Sequence, residues 1–392
     1  MQKDTVMLSA TKAIAEKILT ETFHGAVRLG EGSDLGGSHR SLVLRFAVLE
    51  GPTTVPRSVI VKRASGNIFD PDASHELAWN LFNDWASLQF LSKIAASERL
   101  APVFYGGDRS VGLFVMEDMG EGTRLDHLLL GHDAQAAESG LLAYASMHGR
   151  LHALSMAHRE EYLRLREALG PNIPLPAEYY SYDWLKPGMH TLAERLAIPM
   201  LPGVDEELEA LRAMLLNPGP FLGFMQVDAC PDNRMLVDGN WRLLDFEGAH
   251  YGHVLLEGAY CRMPMPTCWC VYRLPERIMR RAETAYRTEL VRGCPKAGDD
   301  RLFGQGLVAA CIAWALSFHQ FMRPLEKMLS EDRTWVALSD RQRFLLYLNS
   351  AVSTADEFRC MLATGDMLRA IADKLAELWP EAVEPSYYPA FR

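Results

Sequence analysis

Phe224–Glu247 reads FMQVDACPDNRMLVDGNWRLLDFE, and three polar residues in it, Asp228, Asn233 and Asp245, stand among apolar runs that would otherwise be buried strands. A buried carboxylate without a counter-charge is expensive, so the pattern calls for something cationic nearby. Asn233–Val237 and Trp241–Phe246 predict two short strands joined by Asp238-Gly239-Asn240, because glycine and asparagine tolerate the positive φ of a tight turn. A three-residue loop with Val237 opposite Trp241 pairs Asn233 with Asp245, their Cβ atoms roughly 5 Å apart. A two-residue loop slips the register and puts Asp232 opposite Asp245 instead. Either way a carboxylate and a second oxygen ligand converge at the open end of a hairpin, with Asp228 on the loop entering it. Such a donor set suits Mg²⁺.

The rest of the chain is ordinary in bulk. Its 392 residues allow two domains or one large one with lobes, and 48% hydrophobic with 23% charged residues imply a sizeable core. A formal charge of −10 argues against a general nucleic-acid or anionic-membrane binder and is what solubility alone would require. Seven cysteines, at 230, 261, 268, 270, 294, 311 and 360, include no Cys-x-x-Cys pair and, being odd in number, give no disulfide framework. Reduced thiols are expected. The first residues spread their charges and contain no apolar core with a cleavage site, so no signal peptide is expected. The most apolar segment, 306–318, is about 13 residues against the ~20 that a bilayer requires, and a soluble, cytoplasmic protein is the expectation.

Ser9 followed by the Ile14, Ile18, Leu19 spacing predicts an amphipathic helix to about Phe23. Val27–Ser38, VRLGEGSDLGGS, carries four glycines and reads as a turn leading into the strand SLVLRFAVLE. Residues 57–62 predict a second strand, in which period two puts Ile60 and Lys62 on one face and Val59 and Val61 on the other. Residues 74–93 predict a helix with Leu77, Leu81, Leu88 and Leu91 as its apolar stripe. Two further strands, at 102–105 and 111–116, precede Glu117-Asp118-Met119-Gly120-Glu121-Gly122, a polar, glycine-bearing linker. Beyond it the pattern is helical at 134–157, 159–169, 190–198, 204–216, 275–292, 301–322, 340–362 and 366–378, with the hairpin embedded among them.

In order along the chain stand a glycine-rich turn, a strand lysine, a helix acid, an apolar strand with an acidic linker, Asp-x-x-x-x-Asn, a hairpin and Asp-Phe-Glu. VIVK at 59–62, FVMEDM at 114–119, LHAL at 151–154, VDACPDN at 227–233 and LLDFE at 243–247 resemble the aminoglycoside phosphotransferase and choline kinase-like superfamily, the small-molecule branch of the protein-kinase-like fold. The resemblance implies a bilobal α+β fold. An N-terminal antiparallel-sheet lobe over 1–117 would carry the glycine-rich loop, and a larger, mostly helical C-terminal lobe over 118–392 would carry the catalytic hairpin and the acceptor site. It implies ATP or GTP as phosphoryl donor, Mg²⁺ as cofactor and a small-molecule acceptor, with no nucleic-acid or membrane partner.

The same resemblance implies residue roles. Asp228 matches the catalytic-loop aspartate that accepts or orients the proton of the acceptor hydroxyl. Asn233 and Asp245 match the Mg²⁺ ligands, and Lys62 would meet the α/β-phosphates as a point charge. Asp84, or Glu76 in its place, would pair with Lys62. Gly32 and Ser33 belong to the stretch whose glycines, at 30, 32, 36 and 37, would let the chain fold close over the phosphates, and Glu117–Met119 would contact adenine largely through backbone groups.

The chain departs from the family's pattern at three points: Gln226-Val227 replaces the usual His-Gly before the aspartate, Asp84 replaces a helix glutamate, and Glu257 replaces an aspartate five residues after a glycine. Retention of Lys62, Asp228, Asn233 and Asp245 favours an active kinase over the alternative of a nucleotide-binding pseudokinase or regulatory module. No Ala-Pro-Glu-like end follows Asp245, which sets a protein-substrate kinase aside. His152 in LHAL reads as a satisfied core histidine, the aromatics Trp269, Tyr272, Tyr179, Tyr180 and Tyr182 read as core, and Cys230 is assigned no chemistry. No motif names the acceptor, whether an aminoglycoside-like compound, an amino alcohol or a sugar, although net acidity favours a cationic one.

Overall fold

Five strands carry the first part of the chain: β1 (Arg28–Ser38), β2 (Ser41–Glu50), β3 (Ser58–Ala64), β4 (Phe104–Asp108) and β5 (Leu113–Glu117). They form one antiparallel sheet in the order β1-β2-β3-β5-β4. The structure is a computed structural model. It describes residues 2–392 except 39, 66–68, 73–75, 96 and 171–179, and the side chains of 2–6, 38, 76 and 77 are outside the description. The expected helix start at 74–75, the Leu77 side chain and Tyr179 therefore lie outside the described residues.

Period two assigns the faces of the sheet. Leu44 and Phe46 of β2, Val59 and Val61 of β3, and Leu113 and Val115 of β5 share a core with Ala15, Ile18 and Leu19 of helix α1 (Gln2–Phe23). Each large apolar side chain buried there contributes about 1.5–3 kcal/mol. The alternate residues of β3, Ile60 and Lys62, take the opposite face, where Lys62 pairs with Phe114 in register. Helix α2 (Glu76–Ile94) covers that face, with Leu81, Leu88 and Leu91 buried and Trp85 packed 6.1 Å from the Phe114 ring. Lys62 on this face is buried, and α2 supplies one of its partners.

The glycine-rich stretch is a strand and not the expected turn. β1 pairs with β2 from Arg28↔Glu50 to Ser38↔Ser41, with register shifts that glycine makes possible. A Cβ at Gly32 would lie 2.7 Å from the Phe46 ring, and Gly36 has φ 84°, a conformation that glycine alone adopts without strain.

The chain divides into two compact units. Unit 1 comprises Met1–Gly122, His158–Leu175 and Met235–His250, and unit 2 comprises Thr123–Ala157, Pro176–Arg234 and Tyr251–Arg392. The hairpin strands are Arg234–Val237 and Asn240–Leu243. Its turn is Asp238-Gly239 with φ 49° and 77°, the positive-φ pair that a two-residue loop demands. The three-residue register therefore does not form. Asn233 ends a short 3₁₀ turn, Pro231–Asn233, and Asp245 follows the second strand with φ 64°, so neither is a ladder residue.

Unit 2 is mainly helical. Ala134–Ser155 begins on Asp133, whose carboxylate accepts from the N–H groups of Gln135 and Ala136, and Asp340–Phe358 begins on a Ser339/Gln342 capping box. Asp300–Ser317 continues into a π turn, Phe318–Met322. Asp300–Met322 runs for 23 residues, with an 18-residue window of mean hydropathy 1.5, longer than the apolar segment expected from sequence and long enough to cross a bilayer. It is a core helix, because 89% of its apolar window is buried inside the protein.

Candidate active site

Lys62 is 7% exposed, and a buried ammonium is tolerable only beside a counter-charge. Asp84 of α2 places Oδ2 2.6 Å from Nζ, and Glu247 places Oε1 2.8 Å from it. Burial works against the ammonium, but the carboxylates of Asp84, Asp245 and Glu247 outweigh it and raise Lys62 well above its ordinary value. Asp84 also accepts from the Phe246 N–H at 3.2 Å, and Asn83 Nδ2 donates to the Glu247 carbonyl at 3.1 Å. Helix α2 thus fastens the Asp245-Phe246-Glu247 segment to the strand lysine. The second oxygen of Glu247 lies 3.1 Å from Arg40 Nη2. Asp84 is the residue that reaches Lys62; the Glu76 side chain lies outside the described residues.

The other residues of unit 1 that were expected to contact nucleotide are engaged structurally. Gly32 and Ser33 lie in β1 opposite Phe46 and Arg45, and Ser33 Oγ donates to the Arg45 carbonyl at 3.4 Å. Glu117 accepts from the Val103 N–H at 3.1 Å and from Arg242 Nη1 at 2.8 Å, while Met119 is buried.

In unit 2 the strand Leu222–Met225 runs into the loop that carries Asp228. Gln226 is buried, and Val227 has φ 77°, a rare conformation for a β-branched residue and one that costs free energy. Glycine would adopt it freely, which gives the usual His-Gly a physical reason. Here two side chains hold the strained residue: the Glu257 carboxylate accepts its N–H, and Tyr260 Oη donates to its carbonyl at 2.7 Å. Glu257 Oε2 in turn lies 2.8 Å from His152 Nε2, and His152 Nδ1 lies 2.8 Å from Tyr286 Oη. His152 is the satisfied core histidine expected from LHAL, and through Glu257 it braces the loop.

Asp228 has two neutral donors. Thr267 Oγ1 donates to Oδ1 at 2.7 Å, and Asn233 Nδ2 donates to Oδ2 at 3.1 Å and to the Asp228 carbonyl at 3.2 Å. Burial pushes the Asp228 carboxyl up from its ordinary value, with the Thr267 and Asn233 hydrogen bonds pulling the other way and Asp232 adding to the rise. A cation of the kind that the sequence calls for is found beside Asp245, as Lys62, while Asp228 has its hydrogen bonds and the charge of the buried Arg234. The loop is pegged further by Tyr144 Oη, which donates to the Ala229 carbonyl at 2.9 Å, and by the buried Arg234, which donates to the Asn233 carbonyl and reaches His148 Nε2, both at 2.7 Å. His148 Nε2 accepts from that guanidinium, so its proton is on Nδ1, 3.0 Å from the Tyr144 carbonyl. Burial and the Arg234 charge keep His148 neutral, well below its ordinary value.

Cys230 and Cys268 form a disulfide, against the expectation of reduced thiols throughout, and the other five cysteines are free. The pair is 38 residues apart in sequence, a separation no spacing rule marks. It forms because the 226–233 loop and the 267–270 segment converge on Asp228, as Thr267 does from one side and Trp269 Nε1, donating to Asp232 at 2.9 Å, does from another.

The two expected metal ligands are Asn233 of unit 2 and Asp245 of unit 1. With Nδ2 of Asn233 committed to Asp228, its amide oxygen is the acceptor that remains. Among the described residues no group of three or more His, Cys, Asp or Glu forms a cage.

Sequence reasoning missed Glu247, Arg40, Thr267 and Tyr260. Glu247 stood inside a motif already singled out, and a second acid two residues after Asp245 was the available signal; nothing marked Thr267 or Tyr260.

No protein-family model and no curated protein sequence matches the chain. Solved structures of small-molecule kinases are similar to it over most of its length. A choline kinase from Streptococcus pneumoniae is 15% identical over 86% of this chain and 99% of its own, with a TM-score of 0.41. A choline kinase from Cryptosporidium parvum is 13% identical over 93% and 99%, with a TM-score of 0.48. An aminoglycoside phosphotransferase solved with ADP and hygromycin B is 13% identical over 92% and 98%, with a TM-score of 0.37.

Proposed function

We propose that the chain is a phosphotransferase that moves the terminal phosphoryl group of ATP or GTP to a hydroxyl of a small molecule. The observation that carries this reading is the Asp228 loop: a carboxylate kept ionisable by neutral donors, on a backbone pinned at a strained residue by Glu257 and Tyr260. A structural aspartate needs no such bracing. In this reading Asp228 orients the acceptor hydroxyl and takes its proton. Lys62, positioned by Asp84 and Glu247, meets the phosphates, and the backbone of Glu117–Met119 contacts the base. In the same reading Gly32 and Ser33, in β1, are the residues that would close over the phosphates. Asn233 and Asp245 would hold Mg²⁺, which when bound neutralises charge building on the phosphates. Phosphoryl transfer asks little covalent chemistry of a protein, so positioning and charge are the whole of its task.

The acceptor is tested by thermal shift with nucleotide, Mg²⁺ and a panel of amino alcohols, aminoglycosides and sugars. A compound that raises Tm only in the ternary mixture, and from which Mg²⁺-dependent ADP release follows, supports the reading. Nucleotide binding with no ADP release across the panel, and no slow hydrolysis without an acceptor, would identify a binding module instead.

A further inference from the structure

We infer that Thr267 is a positioning residue for Asp228 and that the Cys230–Cys268 disulfide keeps it there, so that turnover by this chain responds to thiol–disulfide exchange. The inference rests on Asp228 being the base. Thr267 supplies the hydrogen bond to Asp228 Oδ1, at 2.7 Å, and its hydroxyl lies 3.0 Å from Tyr260 Oη, which itself secures the Val227 carbonyl. Thr267 is one residue before Cys268, and Asp228 is two residues before Cys230. The disulfide therefore ties the segment that bears the donor to the loop that bears the acceptor.

The sulfur itself sits at the carboxylate. Cys230 Sγ is 3.0 Å from Asp228 Oδ1 and 3.3 Å from Thr267 Oγ1. A disulfide sulfur has no proton to donate, so in the oxidised chain Oδ1 is served by Thr267. A dithiol reductant delivers two electrons and two protons: the S–S bond breaks, two thiols form, and the reductant closes to its own disulfide. The Cys230 thiol then carries a proton beside Oδ1 and competes with Thr267 for the same oxygen, while Cys268 and its neighbour are released from the loop. A base aimed by one fixed donor becomes a base shared between two mobile ones. Small losses of aim at a reacting centre are costly, up to about a hundredfold for a displacement near 1 Å.

The test uses the full chain and Mg²⁺-dependent ATP hydrolysis, with alkylation mass spectrometry reporting five accessible-on-denaturation thiols before dithiothreitol and seven after. Reduction lowers kcat about tenfold and leaves KM for ATP unchanged. Thr267→Val lowers kcat to a similar degree, Thr267→Ser restores it because the hydroxyl returns, and Cys268→Ala has the low kcat and ignores the reductant. Equal kcat in the two states, once the masses confirm reduction, overturns the inference, and so does wild-type kcat in folded Thr267→Val. Asp228→Asn assayed alongside separates the two levels. If it retains turnover the assignment of the base fails and takes this inference with it; if it is inactive while wild type ignores reductant, only the disulfide's role fails.

Discussion

Lys62 in unit 1 is buried and Asp228 in unit 2 is half-buried, and the two charged groups are kept by different means. Lys62 is surrounded by carboxylates, with Asp84 at 2.6 Å and Glu247 at 2.8 Å, and its charge is locked on. Asp228 accepts from the neutral donors Thr267 and Asn233, and burial raises its pKa. The difference suits the two tasks proposed for them. A group that only holds phosphates gains from a permanent charge, whereas a group that takes a proton during turnover gains from an environment that does not over-stabilise its ionised form.

The two sites should therefore break differently. Lys62→Met leaves the Asp84 and Glu247 carboxylates facing each other without their cation, and the expected loss is about 3–5 kcal/mol in urea denaturation. Unchanged stability would mean that the carboxylates find other partners and that the lysine is not the keystone of unit 1. Glu257→Ala removes the acceptor of the Val227 N–H and one partner of His152, with an expected loss of about 2–3 kcal/mol and a larger fall in turnover than in nucleotide affinity. Equal falls in both would assign Glu257 to general stability alone.

The smallest effect is the most discriminating. Because the folded pKa of Asp228 is raised above its unfolded value, its contribution to stability is complete below that unfolded value and is lost as pH rises through the folded one. Asp228→Asn does not titrate, so it should be no less stable than wild type at pH 7, and its advantage should shrink as pH falls toward 4. A variant less stable than wild type at pH 7, with a gap that closes in acid, would show a carboxylate stabilised as Lys62 is.

What was legible in the sequence follows the same division. Period two puts Lys62 on one strand face with Ile60, while Asp84 was named through the family resemblance with Glu76 open beside it; in the structure α2 brings Asp84 to Lys62. The loop from Val227 to Asn233 was legible as a motif. Its supports were not, because Thr267, Tyr260 and Cys268 arrive from a segment with no periodic signal, and their meaning depends on a long-range closure. The glycines of β1 misled because glycine marks bulged strands as readily as turns. The hairpin loop length hung on whether Asn240 joined the turn or the strand, and the Asp238-Gly239 pair alone satisfies the positive-φ requirement.

One variant bears most directly on the central claim that Asp228 is the base of a phosphotransferase. Asp228→Asn should lose turnover by about a thousandfold, within the range assigned to general acid–base catalysis, while nucleotide affinity measured by calorimetry and Tm stay near wild type. Turnover within a few fold of wild type in a folded, nucleotide-binding Asp228→Asn protein would contradict it.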